Sequence, residues 1–150
     1  MTNNQEDVKV PIKISFQSEI VHEGQKERVS YKTKGQYYIK GNQTFLVFSE
    51  RQKDIGKVNV IYKLSNDEIW VGRSGAVKMR QSYKLGEQTA GVYESDLGIF
   101  HLDIDTKKIF IMKDDQKHRG SIQLKYDLSV QNQQAGQYTI SIQYEEAKSK

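Results

Sequence analysis

The amino-acid sequence predicts an all-β protein that folds as a single closed antiparallel barrel of about ten strands. Apolar and polar residues alternate with a period of two along much of the chain, and clusters of turn-forming residues separate the alternating segments. No segment has the periodicity of a convincing amphipathic helix. Because a meander of short hairpins loses its sheet edges when it closes, we expect a mostly up-and-down barrel and not a sandwich.

The predicted strands begin close to the N-terminus. In residues 8–17 the apolar side chains alternate strictly with Lys9, Pro11, Lys13 and Ser15, and the proline places this strand near an edge or a bulge. Long strands such as this one suit the tilted, curved wall of a barrel. The remaining strands are predicted at residues 28–40, 45–48, 58–64, 69–71, 77–83, 99–104, 109–112, 121–131 and 138–144.

Turns are predicted where glycine, asparagine, aspartate and serine cluster between these strands. The clusters read HEGQ, KGNQ, LSND, RSG, DLG, DIDT, KDDQ and QNQQAG in chain order. Their spacing leaves room for short hairpins only, which agrees with a meander.

The hairpin around Gly72-Arg73-Ser74-Gly75 can be interpreted through its register. A three-residue loop of Arg73, Ser74 and Gly75 would bring four apolar residues to the inner face: Ile69, Val71, Val77 and Met79. Trp70 would then meet Lys78 outside as a local cation–π pair. Gly75 would take the left-handed conformation that glycine adopts without strain. A G-x-x-G loop that grips RNA lies between helices, so we interpret this one as a structural turn.

Composition bounds the remaining possibilities. The 150 residues carry a formal charge of +4 and no cysteine, which excludes disulfides, thiolate nucleophiles and cysteine-ligated metals. The length suits one domain over residues 1–150, with flexible ends at 1–7 and 146–150. The N-terminal residues lack a signal-peptide pattern, and no apolar segment approaches the roughly 20 residues of a membrane helix. We expect a cytoplasmic protein that does not bind a membrane. The sequence does not indicate an oligomeric state.

The chain resembles the YwiB-type small bacterial proteins, a family of unknown function, from about Val8 to about Glu146. The resembling pieces are Phe48-Ser49-Glu50, Arg73-Ser74-Gly75, Tyr93 with Gly98, Gly120 with Tyr126 and Leu128, and Gly136. Phe48 stands where the family pattern has tyrosine. The resemblance implies a closed barrel of the calycin or lipocalin kind, and it implies no activity, substrate or catalytic residue.

No catalytic or cofactor motif is present in the sequence, so we expect neither an enzyme nor a cofactor. His101, Asp103 and Asp105 share one strand face and could in principle hold a divalent metal. Alternation sets them opposite Phe100 and Leu102, on the solvent side, so we interpret them as a solvated polar face.

Polar residues on the predicted inner face suggest a binding site. Gln81 interrupts an inner row, and Arg73 continues the row of Ile69 and Val71 to the end of its strand. A buried amide without a partner is costly, so Gln81 must be hydrogen-bonded or lie near the mouth. We expect a small apolar or amphipathic ligand, oriented by Arg73 or Gln81, in a cavity lined by Tyr31, Tyr37, Tyr62, Met79, Tyr83 and Tyr126.

The outer face supports an alternative interpretation. A basic surface with an exposed aromatic ring could bind single-stranded nucleic acid or another protein. The residues concerned are Lys32, Lys34, Trp70, Lys78, Arg80 and Lys84. Solvated lysines that discourage edge pairing explain this pattern more simply, so we expect no nucleic-acid partner.

Overall fold

The computed structural model describes residues 8–52 and 55–147, which form strands and turns only. The ten strands are β1 (Val10–His22), β2 (Gln25–Lys40), β3 (Gln43–Gln52), β4 (Gly56–Leu64), β5 (Glu68–Gly75), β6 (Lys78–Lys84), β7 (Gln88–Ser95), β8 (Gly98–Asp114), β9 (Arg119–Val130) and β10 (Gln133–Glu146). Each strand pairs with its sequence neighbour, and β1 also pairs with β10. The prediction of a closed antiparallel up-and-down barrel is confirmed.

The alternation seen in the sequence appears directly in the burial of the strands. In β1 and β4, buried residues alternate with exposed or half-buried ones over the regular part of each strand. The buried side chains point into the barrel because successive residues of a strand face opposite sides. His101 and Asp103 on β8 are exposed, whereas Leu102 and Ile104, which alternate with them, are buried.

The segment Asp103–Thr106 is not a turn, contrary to the prediction. The two strands expected at 99–104 and 109–112 are one strand, β8, with a bulge at Lys107. The extra residue shifts the alternation, so that Thr106 and Ile109 both face the interior. A bulge of this kind looks like a break between strands in the sequence, because the apolar pattern loses its phase there.

The register predicted for the hairpin of β5 and β6 is wrong. Arg73 pairs with Met79 and Val71 with Gln81, and β5 continues along β4 to Gly75, opposite Val58. Pairing with β4 therefore keeps Arg73–Gly75 in the strand, and the chain turns at residues 76–77. Gly75 does adopt a positive φ of 106°, as expected.

The barrel is packed with side chains toward one end. Its largest fully buried residues are aliphatic: Ile12, Ile14, Leu46, Leu64, Ile69, Ile104, Ile122, Leu124 and Ile142. The opposite end, where the turns after β1, β3, β5, β7 and β9 lie, contains the cavity described below. We call this second end the cavity end.

The expected flexible ends require one correction. Residues 1–7 and 148–150 lie outside the described residues. Glu146, however, ends β10, and the Ala147 backbone N–H donates a hydrogen bond to the Pro11 carbonyl at 2.9 Å. The C-terminal strand is therefore hydrogen-bonded to the start of β1 as far as Ala147, whereas the flexible end was expected to begin at residue 146. None of the described residues belongs to a helix long and apolar enough to cross a membrane.

Candidate functional site

A cavity of about 1130 Å³ occupies the cavity end of the barrel. Its walls come from all of the described strands and combine aromatic with aliphatic side chains. The residues that line it include Phe16, Val29, Tyr31, Lys32, Thr33, Ser49, Glu50, Arg51, Lys57, Arg73, Met79, Tyr83, Leu102, Tyr126, Leu128 and Tyr138. Five of the eight residues proposed from the sequence lie here: Tyr31, Arg73, Met79, Tyr83 and Tyr126.

Stacked aromatic rings form much of the cavity wall. Tyr126 contacts Tyr83 with ring centroids 4.7 Å apart and stacks on Tyr138 at 5.3 Å. On the other side, Phe16 stacks on Tyr31 at 4.7 Å. Burial raises the pKa of Tyr83 to about 12, so its hydroxyl is a neutral hydrogen-bonding group at physiological pH. Such walls suit an apolar molecule that carries few polar atoms.

A charged pair lies inside this apolar wall. Arg73 Nη1 donates to Glu50 Oε1, and the Tyr31 hydroxyl donates to Glu50 Oε2 at 2.5 Å. The side chains of Arg73 and Glu50 are only 18% and 9% exposed, so a lone charge here would be strongly destabilising. Burial lowers the pKa of Arg73, but Tyr62 and Glu50 outweigh this and raise it, so the guanidinium stays charged. Arg73 therefore faces the interior of the barrel and not the solvent.

Gln81 lies in the wall beside the cavity and is not among its lining residues. Its side-chain nitrogen donates to the Ser82 carbonyl at 2.8 Å and to Thr89 Oγ1 at 3.1 Å. Its oxygen is directed at Gly91, where a Cβ atom would lie 1.8 Å away. The amide therefore joins β6 to β7.

Two further proposed residues lie apart from the cavity lining. Tyr62 is 2% exposed and packs against Phe48 with ring centroids 6.0 Å apart, within the core. Tyr37 stacks on Tyr144 toward the packed end, and its hydroxyl donates to Asp115 Oδ1 at 2.5 Å. Burial raises the pKa of both Tyr62 and Tyr37. Sequence alternation identified these tyrosines as internal but could not tell at which level of the barrel they lie.

The six residues of the alternative basic face do not form one surface. Lys32 and Lys34 belong to β2, whereas Lys78, Arg80 and Lys84 belong to β6, and three strands separate β2 from β6. Trp70 and Lys78, which were expected to be in contact, are not cross-strand partners, because Trp70 pairs with Ser82. Instead, the ammonium group of Lys63 lies 5.5 Å from the Trp70 ring centroid.

Sequence reasoning missed Glu50, although a signal was available. The even-numbered residues of β3, from Thr44 to Phe48, are buried, and the same alternation extends to Glu50. Glu50 extends the inner row of β3, and Arg73 extends the inner row of β5. Their opposite charges could have identified them as an ion pair. Arg51 and Lys57 were also missed, because their place at the cavity depends on the pairing of β3 with β4.

Comparison with known proteins places this geometry in a family. Residues 14–142 match the model of a domain of unknown function, DUF1934. The chain is 37% identical over 135 residues to the uncharacterised β-barrel protein YwiB of Bacillus subtilis, a match that covers 90% of this chain and 93% of that protein. The crystal structure of YwiB superposes with a TM-score of 0.83 at 33% identity, covering 93% of this chain and 94% of the other. This chain therefore belongs to the DUF1934 family of β-barrel proteins.

Proposed function

We propose that this protein is a cytoplasmic, calycin-like barrel that holds one small apolar or amphipathic molecule in the cavity between the aromatic walls. The observation that carries the proposal is the cavity itself, about 1130 Å³ at the cavity end of the barrel. Ligand pockets of small-molecule binding proteins have volumes up to about 1,000 Å³ and are mostly apolar with a few placed polar groups.

The strand number supports the same proposal. A barrel of about eight strands has an interior that side chains just fill, or that holds one small ligand, and the diameter grows with strand number. Ten strands therefore give a wider interior than eight strands would. Most of the fully buried aliphatic residues fill the packed end, and the aromatic and aliphatic side chains at the cavity end leave a space between them.

Binding is proposed in preference to catalysis because of the way the polar groups are arranged. Arg73 and Glu50 neutralise each other, and Tyr31 donates to the same carboxylate. Burial, and then the hydrogen bond to Glu50, raise the pKa of Tyr31, so the phenol is held as a neutral donor. Groups that are engaged with one another in this way hold the wall together and are poorly placed to exchange protons with a substrate.

The test is binding of 1-aminoanthracene, a neutral fluorescent probe, to the purified full-length chain. We expect saturable binding that raises probe fluorescence. Met79→Trp, which fills the cavity from β6, should weaken this binding at least about tenfold, since a bulky ring removes the contact area that the probe needs. Arg80→Trp places the same ring on the exposed face one residue away and should leave binding unchanged. Probe binding that Met79→Trp does not affect would contradict the proposal.

A further inference from the structure

The barrel wall has an opening beside the cavity, between β2 and β3. Backbone pairing of these strands ends at Gly35 and Phe48. Both strands continue past this point, β2 toward Gln25 and β3 toward Gln52. Over the continuing segments β2 pairs only with β1, and β3 only with β4, in the described part of the chain. We call this gap the side opening.

Side chains replace backbone hydrogen bonds across the side opening. Thr33 Oγ1 donates to the Ser49 carbonyl at 3.2 Å, and the Tyr31 hydroxyl donates to Glu50. All four residues also line the cavity. The side opening therefore leads to the cavity, and side-chain contacts such as these are easier to part than a continuous backbone ladder.

Positive charge surrounds the side opening. Among the described residues that line the cavity, Lys32, Arg51, Lys57 and Arg73 are cationic, and Glu50 is the one carboxylate. Since Glu50 is paired with Arg73, the remaining charge comes from Lys32 on β2 and from Arg51 and Lys57, which are cross-strand partners on β3 and β4. These three residues are exposed, and no ion pair joins them to another residue within 8–52 and 55–147.

We propose that the ligand is an anionic amphiphile, whose apolar tail lies among the aromatic rings and whose head group lies at the side opening beside Lys32, Arg51 and Lys57. The proposal rests on the function proposed above and names the class of molecule that the cavity takes. A carboxylate or a phosphate head group satisfies the same three cations. Arg73 is paired with Glu50 and stabilises the barrel wall. The exposed cations bind the head group on the outer side of the wall.

The experiment measures how well amphiphiles with the same tail displace 1-aminoanthracene from the full-length chain. Dodecanoate and dodecyl phosphate carry anionic heads, dodecanol a neutral head and dodecylamine a cationic head. Exposed ion pairs each change binding by up to about fivefold, so three together should favour the anions over dodecanol by about tenfold or more. Dodecylamine should compete least well. A preference for dodecanoate or for dodecyl phosphate supports the proposal. The better competitor of the two shows whether the head group is a carboxylate or a phosphate.

Two further measurements assign the preference to the side opening. The triple variant Lys32→Gln, Arg51→Gln, Lys57→Gln should lose it, whereas the control Lys78→Gln, Arg80→Gln, Lys84→Gln removes the same charge from β6 and should keep it. For the unmodified protein, raising the salt concentration should reduce dodecanoate binding and leave dodecanol binding unchanged, because screening acts on exposed charges.

The outcomes separate the two proposals. If the neutral probe binds but all the amphiphiles displace it equally, the head-group inference is overturned and the ligand-binding function stands. If both triple variants lose the preference to the same extent, the inference is overturned as well, because net charge and not the side opening would explain it. If the probe does not bind at all, the proposed function fails and this inference fails with it.

Discussion

Arg73 and Glu50 illustrate how single residues can determine what a barrel interior tolerates. Their charges are almost fully removed from water, and each compensates for the other. Removing one partner of a buried pair leaves an uncompensated charge, which costs far more than the net stabilisation of the pair. Tyr31 adds a hydrogen bond to the same carboxylate and so couples β2 to this pair.

The first prediction concerns this pair. Arg73→Met should lower the free energy of unfolding by about 3 kcal/mol, because it leaves the Glu50 carboxylate without its cation in the cavity wall. Adding Glu50→Gln removes the buried carboxylate charge and keeps an acceptor for Tyr31, so the double variant should be more stable than Arg73→Met alone. Urea denaturation of the four proteins of the cycle measures this. Strictly additive losses would show that the two residues do not stabilise each other.

Gly72 and Gly75 have structural roles in the chain segment that resembles an RNA-binding loop. A Cβ on Gly72 would lie 2.5 Å from the Trp70 ring, so the glycine gives the indole space to lie against the strand. A Cβ on Gly75 would lie 2.8 Å from the Lys57 carbonyl oxygen, a backbone atom of the paired strand. The positive φ of Gly75 adds conformational strain for any other residue.

The second prediction compares two glycines with positive φ. Gly75→Ala should destabilise the protein by about 2–3 kcal/mol, through backbone strain together with the contact to the Lys57 carbonyl. Gly98 has a φ of 127°, and a Cβ added there would have no neighbouring atom within 4 Å, so Gly98→Ala should cost only the strain, about 1 kcal/mol. Thermal or urea unfolding measures the difference. Equal losses would mean that the Lys57 contact relaxes without cost.

At the scale of elements, backbone pairing stops well short of the strand ends at two places among the described strands. One is the side opening between β2 and β3. The other lies between β6 and β7, whose described pairs run only from Lys78↔Glu94 to Arg80↔Val92. Beyond them, the Gln81 amide and the Thr89 hydroxyl both donate to the Ser82 carbonyl. Side chains close the second gap tightly, since Gln81 is 1% exposed.

The third prediction tests this closure. Gly91→Ala should displace the Gln81 amide, because the added Cβ would lie 1.8 Å from its oxygen, and should cost about 2 kcal/mol or more. In a Gln81→Ala background the obstruction is gone, so the same Gly91→Ala change should cost at least about 1 kcal/mol less. Urea denaturation gives both values. An unchanged cost in the two backgrounds would mean that the added methyl group is strained against atoms other than the Gln81 amide.

For the whole molecule, the tyrosines link stability to alkaline pH. Burial raises the pKa of Tyr83 to about 12 and raises those of Tyr62 and Tyr126 as well. A pKa that is higher in the folded than in the unfolded chain contributes stability that is complete below the unfolded value of 10.0 and is lost as pH rises through the folded value.

The fourth prediction follows from that sign. The free energy of unfolding should decrease between pH 10.0 and about 12, by up to about 3 kcal/mol for Tyr83 alone. Chemical denaturation at a series of pH values measures the decrease, and ultraviolet absorbance reports phenolate formation. Tyr83→Phe removes this contribution, so its stability should depend less steeply on pH over the same window. Identical pH profiles for the two proteins would contradict the assignment to Tyr83.

The sequence by itself determined the fold class and the inward face of most strands. Both follow from the period of two, which is a property of one strand and needs no knowledge of its neighbours. Tyr31 and Met79 could be placed inside on this basis, and Gly75 could be given a positive φ from its residue type. Arg73 continued an inner row, but the sequence did not decide whether its side chain faces the interior or the solvent. The bulge at Lys107 was not recognised, because a loss of phase is also what a turn produces.

Only the tertiary structure decided register and the content of the cavity. A register shift by an even number of residues keeps every side chain on its face, so the hydrophobic pattern cannot distinguish the expected pairing of Val71 with Val77 from the observed pairing with Gln81. Pairing of β5 with β4 made that choice, and the same pairing brings Arg73 to Glu50. The cavity, the side opening and the three cations beside it depend on where paired strands part, which is a property of neighbouring strands and cannot be obtained from either strand alone.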